Sequence, residues 1–187
     1  MQRRWVMKYS IIFLLFMASF SLQAADFSLK SAEISPSEMI PPSFEFNGFG
    51  CTGNNRSPML EWQGAPVDTK SFAVTVYDPD APTGSGWWHW QVINIPASTR
   101  VLPSNVGIEH SKDLPVAAVQ MQNDYGTKAW GGTCPPKGDN AHRYIFTVHA
   151  LKVEKLDLPS DATAALTGYM INANTIAKAT FTAKYGR

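Results

Sequence analysis

Histidine, tyrosine and aspartate side chains in two short segments carry most of the chemistry that this chain offers. The first segment contains Asp78 and, after a proline-stiffened turn, His89, while the second contains His142 and Tyr144. Protonated imidazole and phenolic O–H groups both donate hydrogen bonds, and charge-assisted bonds of this kind hold phosphate strongly. The residue types therefore predict a small anion-binding pocket, in which an acid orients or charges an imidazole.

Strand periodicity gives this prediction a geometric form. If the chain is extended from position 142, His142 and Tyr144 point to one face and Arg143 points to the other. The opposing interpretation is a core histidine and tyrosine that satisfy each other. His89 lies between two tryptophans, which also suits a buried core residue. An apolar setting disfavours its charged form unless an acid compensates. Asp78 is expected to do so, and Asp80 either does so too or only caps the turn.

Other chemistries are less well matched by the sequence. Two histidines and two aspartates could hold zinc or iron, but no pair has the short spacing typical of metal ligands. The chain has no G-x-S-x-G motif, and Ser85 lies in a glycine-rich turn instead of following a buried strand. We therefore expect no catalytic residue, no metal and no cofactor.

The elements that would position these residues are mainly strands. Three long apolar runs, 72–78, 87–95 and 143–151, are typical of strands, and Phe72, Val74 and Val76 should share one face. The run 87–95 is apolar on both faces and is expected to be central in its sheet. Shorter candidates are 27–31, 45–46, 60–62 and a final strand at 180–185. The segments 111–117 and 123–133 read as loops, and Tyr125 and Trp130 in the second could form a pocket rim.

One helix is predicted near the C-terminal end. Ser160 or Asp161 is its expected N-cap. The apolar residues at helical spacing are Leu166, Met170, Ala173 and Ala177. Gly168, in the middle, is unfavourable for a helix. Together with the strands, this predicts an antiparallel β-sandwich with a small helical appendage.

The first 24 residues have the features of a secretory signal. Arg3, Arg4 and Lys8 precede an apolar stretch at 11–20, and small residues lead to a predicted cut after Ala24. The apolar stretch is too short to span a bilayer, although a retained anchor is the alternative. Either Met1 or Met7 is a possible start. We expect a periplasmic protein with no integral membrane segment in its mature form.

The remaining residues, 25–187, suit a single domain with its own core. They carry 13 basic and 15 acidic residues, a formal charge of −2. That balance, with no basic run, argues against nucleic acid as a partner. Cys51 and Cys134 are the only cysteines, and in an exported chain such a pair predicts one disulfide. Two thiols in a metal or redox site are the alternative.

Two longer motifs resemble a known family. Residues 78–82 (Asp-Pro-Asp-Ala-Pro) with 88–96 are similar to the first signature of the phosphatidylethanolamine-binding proteins, also called Raf-kinase-inhibitor-like proteins, and 135–144 resemble the second. The stretches 49–58 and 168–174 are similar to the bacterial branch, and the signal points to its periplasmic members. The resemblance covers essentially the whole chain after the signal.

This resemblance implies a mostly β fold, an antiparallel sandwich with a few peripheral helices, and a surface cavity for phosphate-like anions, including phospholipid head groups. The pocket residues it implies are Asp78, Pro82, His89, Cys134, Pro135, His142 and Tyr144. Cys134 replaces a glycine that many eukaryotic members have, so a disulfide there would fasten the rim and could alter the range of ligands. Kinase regulation is not expected of a periplasmic protein.

The leading functional expectation is a non-enzymatic binding protein for a small anionic ligand, namely phosphate or a phosphorylated head group. The alternative is a protein-interaction module or inhibitor that acts on a protease, an envelope protein or a host partner. A hydrolase or lyase that uses a histidine–aspartate pair is a third possibility. The sequence makes no prediction of the oligomeric state.

Overall fold

The computed structural model describes residues 26–187, so the predicted signal and its cut after Ala24 lie outside the described residues. In chain order the elements are β1 (Ser28–Lys30), a short 3-10 helix (Pro42–Phe44), β2 (Asn47–Gly48), β3 (Cys51–Thr52), β4 (Leu60–Gln63), β5 (Ser71–Asp78), β6 (Trp87–Pro96), β7 (Val101–Leu102), β8 (Val119–Gln120), β9 (His142–Leu151), α1 (Ala164–Asn174) and β10 (Thr175–Tyr185). The chain is therefore mostly β, as predicted.

A five-stranded antiparallel sheet in the order β10-β9-β5-β6-β8 organises the fold. Strand β5 is central because it pairs along its length with β6 on one side and β9 on the other. Strand β6 was predicted to be central, but it is the second strand from the edge of the sheet. The edge strand β8 has two residues and pairs only with the middle of β6. Both faces of β6 are nevertheless buried, which explains its unbroken apolar sequence.

The main core lies between this sheet and a smaller sheet of order β1-β4-β7. Phe72, Val74 and Val76 all belong to this core, so the predicted shared face of β5 is correct. Trp62 of the small sheet meets Phe72 edge-on, with the ring centroids 5.4 Å apart. Two sheets packed face to face in this way form the expected sandwich.

Helix α1 packs on the opposite face of the large sheet. The helix exists as predicted, but its N-cap is Thr163, whose hydroxyl accepts a hydrogen bond from the Leu166 amide at 3.2 Å. Its buried residues include Gly168 and Ile171, whereas the predicted apolar positions Leu166 and Ala173 are exposed. A Cβ on Gly168 would lie 3.3 Å from the Trp88 ring, so the glycine permits close packing instead of weakening the helix.

The final strand begins earlier than the sequence suggested. Strand β10 follows α1 without a loop, and Ala177, assigned above to the helix, pairs with Ala150 of β9. The predicted strand at 45–46 is reduced to a single bridge between Glu45 and Thr133. No helix among residues 26–187 is long and apolar enough to cross a membrane.

Candidate functional site

One end of the large sheet carries the candidate site. Strand β5 ends there at Asp78, β6 begins there, and β9 begins there at His142, because neighbouring strands are antiparallel. A cavity of about 170 Å³ opens at this end. Its lining residues are Phe49, Asp78, Ala81, Pro82, Thr83, Trp87, His89, Tyr125, Cys134, Pro135, Pro136, His142 and Tyr144.

All seven residues singled out from the sequence line this one cavity. His89 is the third residue of β6, and His142 and Tyr144 are the first and third residues of β9, two apart on one face. The rings of His89 and Tyr144 meet edge-on, with centroids 5.0 Å apart. The structure therefore brings together two stretches that lie some fifty residues apart in the sequence.

Asp78 is held by three hydrogen bonds. Its Oδ1 accepts from the backbone amides of Asp80 at 2.8 Å and Ala81 at 3.2 Å, as in an Asx turn. Its Oδ2 accepts from Nδ1 of His142 at 2.8 Å. Asp78 therefore orients His142, whereas the sequence interpretation had assigned it to His89. On its far side, Nε2 of His142 lies 3.6 Å from Oδ2 of Asp139.

His89 is oriented by the backbone instead. Its Nδ1 lies 2.8 Å from the carbonyl oxygen of Gly131 and 3.1 Å from that of Gly132. Because a carbonyl only accepts, Nδ1 must carry the proton. Burial lowers the pKa of His89 well below the usual range, against the opposing effects of the Gly131 carbonyl and the charge of Asp78. A charged His89 at neutral pH, which the predicted anion-binding pocket implied, is therefore disfavoured.

Three buried polar atoms in this cavity wall lack a partner. Nε2 of His89 accepts from no donor, the hydroxyl of Tyr144 and Nε1 of Trp87 donate to no acceptor, and His89 and Tyr144 are almost fully buried. Tyr144 does not hydrogen-bond to His142, whose Nδ1 contacts Asp78, contrary to the interpretation of a core histidine and tyrosine that satisfy each other. A buried polar group without a partner costs about 1–3 kcal/mol. Burial, followed by the nearby charge of Asp78, raises the pKa of Tyr144 far above its ordinary value, so the phenol keeps its proton.

Aromatic residues form much of the wall and mouth. Tyr125 stacks on Phe46 with centroids 4.1 Å apart, and its hydroxyl donates to the Gly132 carbonyl at 3.0 Å. Trp87 meets Tyr125 edge-on, and Phe49 is 75% exposed at the mouth. Tyr125 is thus a rim residue, as suggested above. Trp130 is not, because it is buried in the core against Trp90.

The sequence interpretation missed Phe49, Ala81, Thr83 and Trp87 as lining residues. Phe49 could have been found, because an aromatic residue between two glycines indicates a turn; in the structure it has a positive φ of 51°. Trp87 precedes His89 by two residues on β6, so strand alternation alone places it on the same face. Ala81 and Thr83 carry no comparable signal.

A disulfide and an arginine side chain join the loops that form the rim. Cys51 and Cys134 form a disulfide, as predicted. Beside it, the Arg187 guanidinium donates to the carbonyl oxygens of Pro135 at 2.7 Å and Gly50 at 2.8 Å. The segments around positions 50 and 135 are therefore joined by a covalent bond and by hydrogen bonds. Within 26–187, no three His, Cys, Asp or Glu side chains are grouped closely enough to hold a metal ion.

Comparison with known proteins agrees with this geometry. The family model "phosphatidylethanolamine-binding protein" matches residues 30–186, which is most of the chain. The chain belongs to the phosphatidylethanolamine-binding protein family. The resemblance stated from the two motifs is thereby confirmed.

Bacterial members of this family are similar over nearly their whole length. UPF0098 protein YbcL of Escherichia coli K12 is 56% identical over 167 residues, covering 89% of this chain and 91% of that protein. YbhB from the same organism is 46% identical over 157 residues, covering 84% and 98%. The crystal structure of E. coli YbcL superposes with a TM-score of 0.85 and covers 87% of this chain and 99% of its own. The Chlamydia trachomatis homologue CT736 superposes at 0.70 with 28% identity, covering 86% and 97%.

Proposed function

We propose that this protein binds a small phosphate-type anion, either phosphate or a phosphorylated head group, in the cavity between β5, β6 and β9, and does so without catalysing a reaction. The observation that carries the proposal is that His89 Nε2 and the Tyr144 hydroxyl, two of the three unpartnered buried polar atoms in the wall, lie in one cavity. A bound ligand with hydrogen-bonding oxygens would satisfy both and remove their desolvation cost.

The Tyr144 hydroxyl is the principal donor in this proposal. Its raised pKa keeps the proton on the oxygen, so it can donate to an anion throughout the physiological range. Asp78 is compensated by His142 and by two backbone amides, which limits its repulsion of a bound anion. Pro82 and Pro135 stiffen the rim, and this reduces the conformational entropy lost on binding.

Binding without turnover is favoured by the groups at the wall. Of the described residues that line the cavity, Thr83 is the only aliphatic alcohol, and its hydroxyl donates to the Gly86 carbonyl at 2.6 Å. Cys134 is in the disulfide, and Tyr144 is held in its protonated form. An activated nucleophile needs an adjacent base or a lowered pKa, which these groups do not have.

We also propose that the protein works in the periplasm. A disulfide persists in oxidising compartments and is rare in the cytosol, and Cys51 and Cys134 form one here. Cell fractionation and the mass of the purified chain test this proposal. A periplasmic chain that starts at Ala25 is the expected result, and a cytosolic chain that starts at Met1 or Met7 would contradict it.

Calorimetry with inorganic phosphate tests the binding proposal. Tyr144→Phe removes one hydrogen bond to a charged group, so its affinity should fall by about 1.5–3 kcal/mol, or roughly ten- to a hundred-fold. Its thermal stability should stay equal or rise, because the buried hydroxyl donates to no acceptor in the free protein. Tyr169→Phe, on the exposed surface of α1, is the matched control and should bind as the parent does.

Three results would contradict the proposal. Equal affinity in Tyr144→Phe and the parent would remove the hydroxyl from the site. Turnover of a phosphomonoester that is lost in His89→Ala would show an enzyme. If phosphate bound neither protein, the protein-interaction alternative would be favoured instead.

A further inference from the structure

The hydrogen-bonding role of His89 restricts which anion the cavity can take. Its Nδ1 proton is committed to the carbonyls of Gly131 and Gly132, so its Nε2 is a bare acceptor in the neutral ring. A fully ionised phosphate offers only acceptors and would meet this nitrogen lone pair to lone pair. A ligand that suits the cavity must bring a hydrogen-bond donor to Nε2.

The charges around His89 act in the same direction. The titratable groups that face it are Asp78 at the end of β5, His142 and Tyr144 on β9, and Tyr125 in the loop after β8. Of the described lining residues, none is a lysine or an arginine. The formal charge of the lining is −1 with His142 neutral and zero with His142 protonated. A ligand with two negative charges therefore finds no net positive charge here.

We propose that the cavity selects the singly charged, protonated form of a phosphomonoester, whose P–OH donates to Nε2 of His89 while a charged oxygen accepts from the Tyr144 hydroxyl. This inference rests on the proposed phosphate-type function and specifies the ligand for it. The neighbouring rings of His89 and Tyr144, 5.0 Å apart, allow one tetrahedral group to reach both. Burial, which disfavours a charged His89, keeps the acceptor available at neutral pH.

A calorimetric pH series with three small probes tests the inference. Methyl phosphate loses its second proton near about pH 6, so its monoanion becomes about fifty-fold scarcer between about pH 6 and about pH 8. Its apparent affinity should fall by the same factor. Dimethyl phosphate, a monoanion with no hydroxyl, and sulfate, a dianion, do not titrate in this range. At the lower pH, both should bind more weakly than methyl phosphate does. As the pH rises, neither should show a comparable loss of affinity.

The non-titrating probes separate the ligand's proton from the protein's protons. If methyl phosphate and sulfate weakened in parallel as the pH rose, protonation of a histidine would carry the affinity, and the inference would be overturned while the proposed function stood. A methyl phosphate affinity that stayed constant or rose with pH would also overturn it. If none of the probes bound at any pH, the proposed function and the inference would fail together.

His149→Gln is a matched control, because His149 is a buried histidine on the same strand as His142 but lines no part of the cavity. It should keep the parent affinity and pH profile. Tyr144→Phe should bind more weakly at every pH and keep the slope. A slope lost in His149→Gln would count against the inference, because the titrating proton would then belong to the protein.

The phosphomonoester could belong to a soluble molecule or to a lipid. Vesicles of phosphatidylcholine that carry phosphatidic acid, a monoester, or phosphatidylglycerol, a diester, distinguish these sources. If the protein binds the phosphatidic acid vesicles but not the phosphatidylglycerol vesicles, the inference is supported with a lipid source. If it binds methyl phosphate but neither type of vesicle, the inference is supported with a soluble source. Equal binding to both vesicles would overturn it.

Discussion

Removing the disulfide should destabilise the protein strongly while leaving the cavity able to bind. Cys51 and Cys134 are 83 positions apart, so their bond closes a long loop in the unfolded chain. The chain-entropy model assigns such a loop about 4.6 kcal/mol of stabilisation at 25 °C. A typical domain has about 5–15 kcal/mol in total, so the loss would be a large share of it.

The native rim has other fastenings, which is why binding should survive. Arg187 joins Pro135 to Gly50, the residues next to the two cysteines. The amide of Phe46 donates to the carbonyl of Thr133 at 3.0 Å, which ties the same segments together. The free energy lost with the disulfide should therefore come mainly from the unfolded state.

Urea unfolding of the double variant Cys51→Ala, Cys134→Ala measures the loss. The expected result is a free energy of unfolding lower by about 4.6 kcal/mol, with methyl phosphate affinity at pH 6 within about twofold of the parent, since the two arginine bonds remain. Arg187→Ala, which keeps the disulfide, is the control for the other fastening. A loss below about 1 kcal/mol would refute the loop-entropy reasoning, and loss of binding by the folded variant would show that the disulfide shapes the native rim.

Two further predictions concern pH. Burial lowers the pKa of His149 to about 4, so the unfolded state takes up this proton before the folded state does as the pH falls. The free energy of unfolding should therefore decrease between about pH 6.5 and about pH 4, by up to about 3 kcal/mol from this residue. Thermal melts of His149→Gln should lack this part of the pH dependence. The Arg143 side chain lowers the pKa of Asp80 to about 2, which stabilises the folded state above about pH 4 and is lost as the pH falls towards about 2. Because the pair is on the surface, Arg143→Ala should cost only a little stability at pH 7, and this cost should shrink as the pH falls to about 2 and Asp80 takes up its proton. A cost that stayed constant over this range would contradict this origin.

The long strands could be predicted because a buried strand has a mostly apolar local sequence. Strands β5, β6 and β9 are nearly continuous apolar runs, and both faces of each are covered. The start of β10 could not be predicted in this way. Thr175 both caps α1 and opens the strand, and Ala177 fits a helical spacing as well as a strand.

The buried face of α1 was also hidden from the sequence. Apolar periodicity selected Leu166 and Ala173, but the sheet needs a small residue against Trp88, and Gly168 supplies it. Helix packing follows the shape of the opposing surface, and a single sequence does not record that surface.

At the site, strand alternation predicted that His142 and Tyr144 share one face, and the family resemblance predicted that His89 lies near them. The partners of each histidine could not be deduced from the sequence. Asp78 contacts His142, while His89 is bound by carbonyls of Gly131 and Gly132 from a loop some forty residues away. Residue types do not predict contacts to backbone carbonyls, so the structure was needed to show that His89 is neutral and that its Nε2 is an acceptor.

A crystal structure of the protein with methyl phosphate, grown near pH 6, tests the central claim most directly. The account predicts a phosphate group in the cavity, with one oxygen within hydrogen-bond distance of the Tyr144 hydroxyl and another at Nε2 of His89. A cavity that stays empty at saturating methyl phosphate, or a phosphate bound elsewhere with these two atoms still unpartnered, would contradict it.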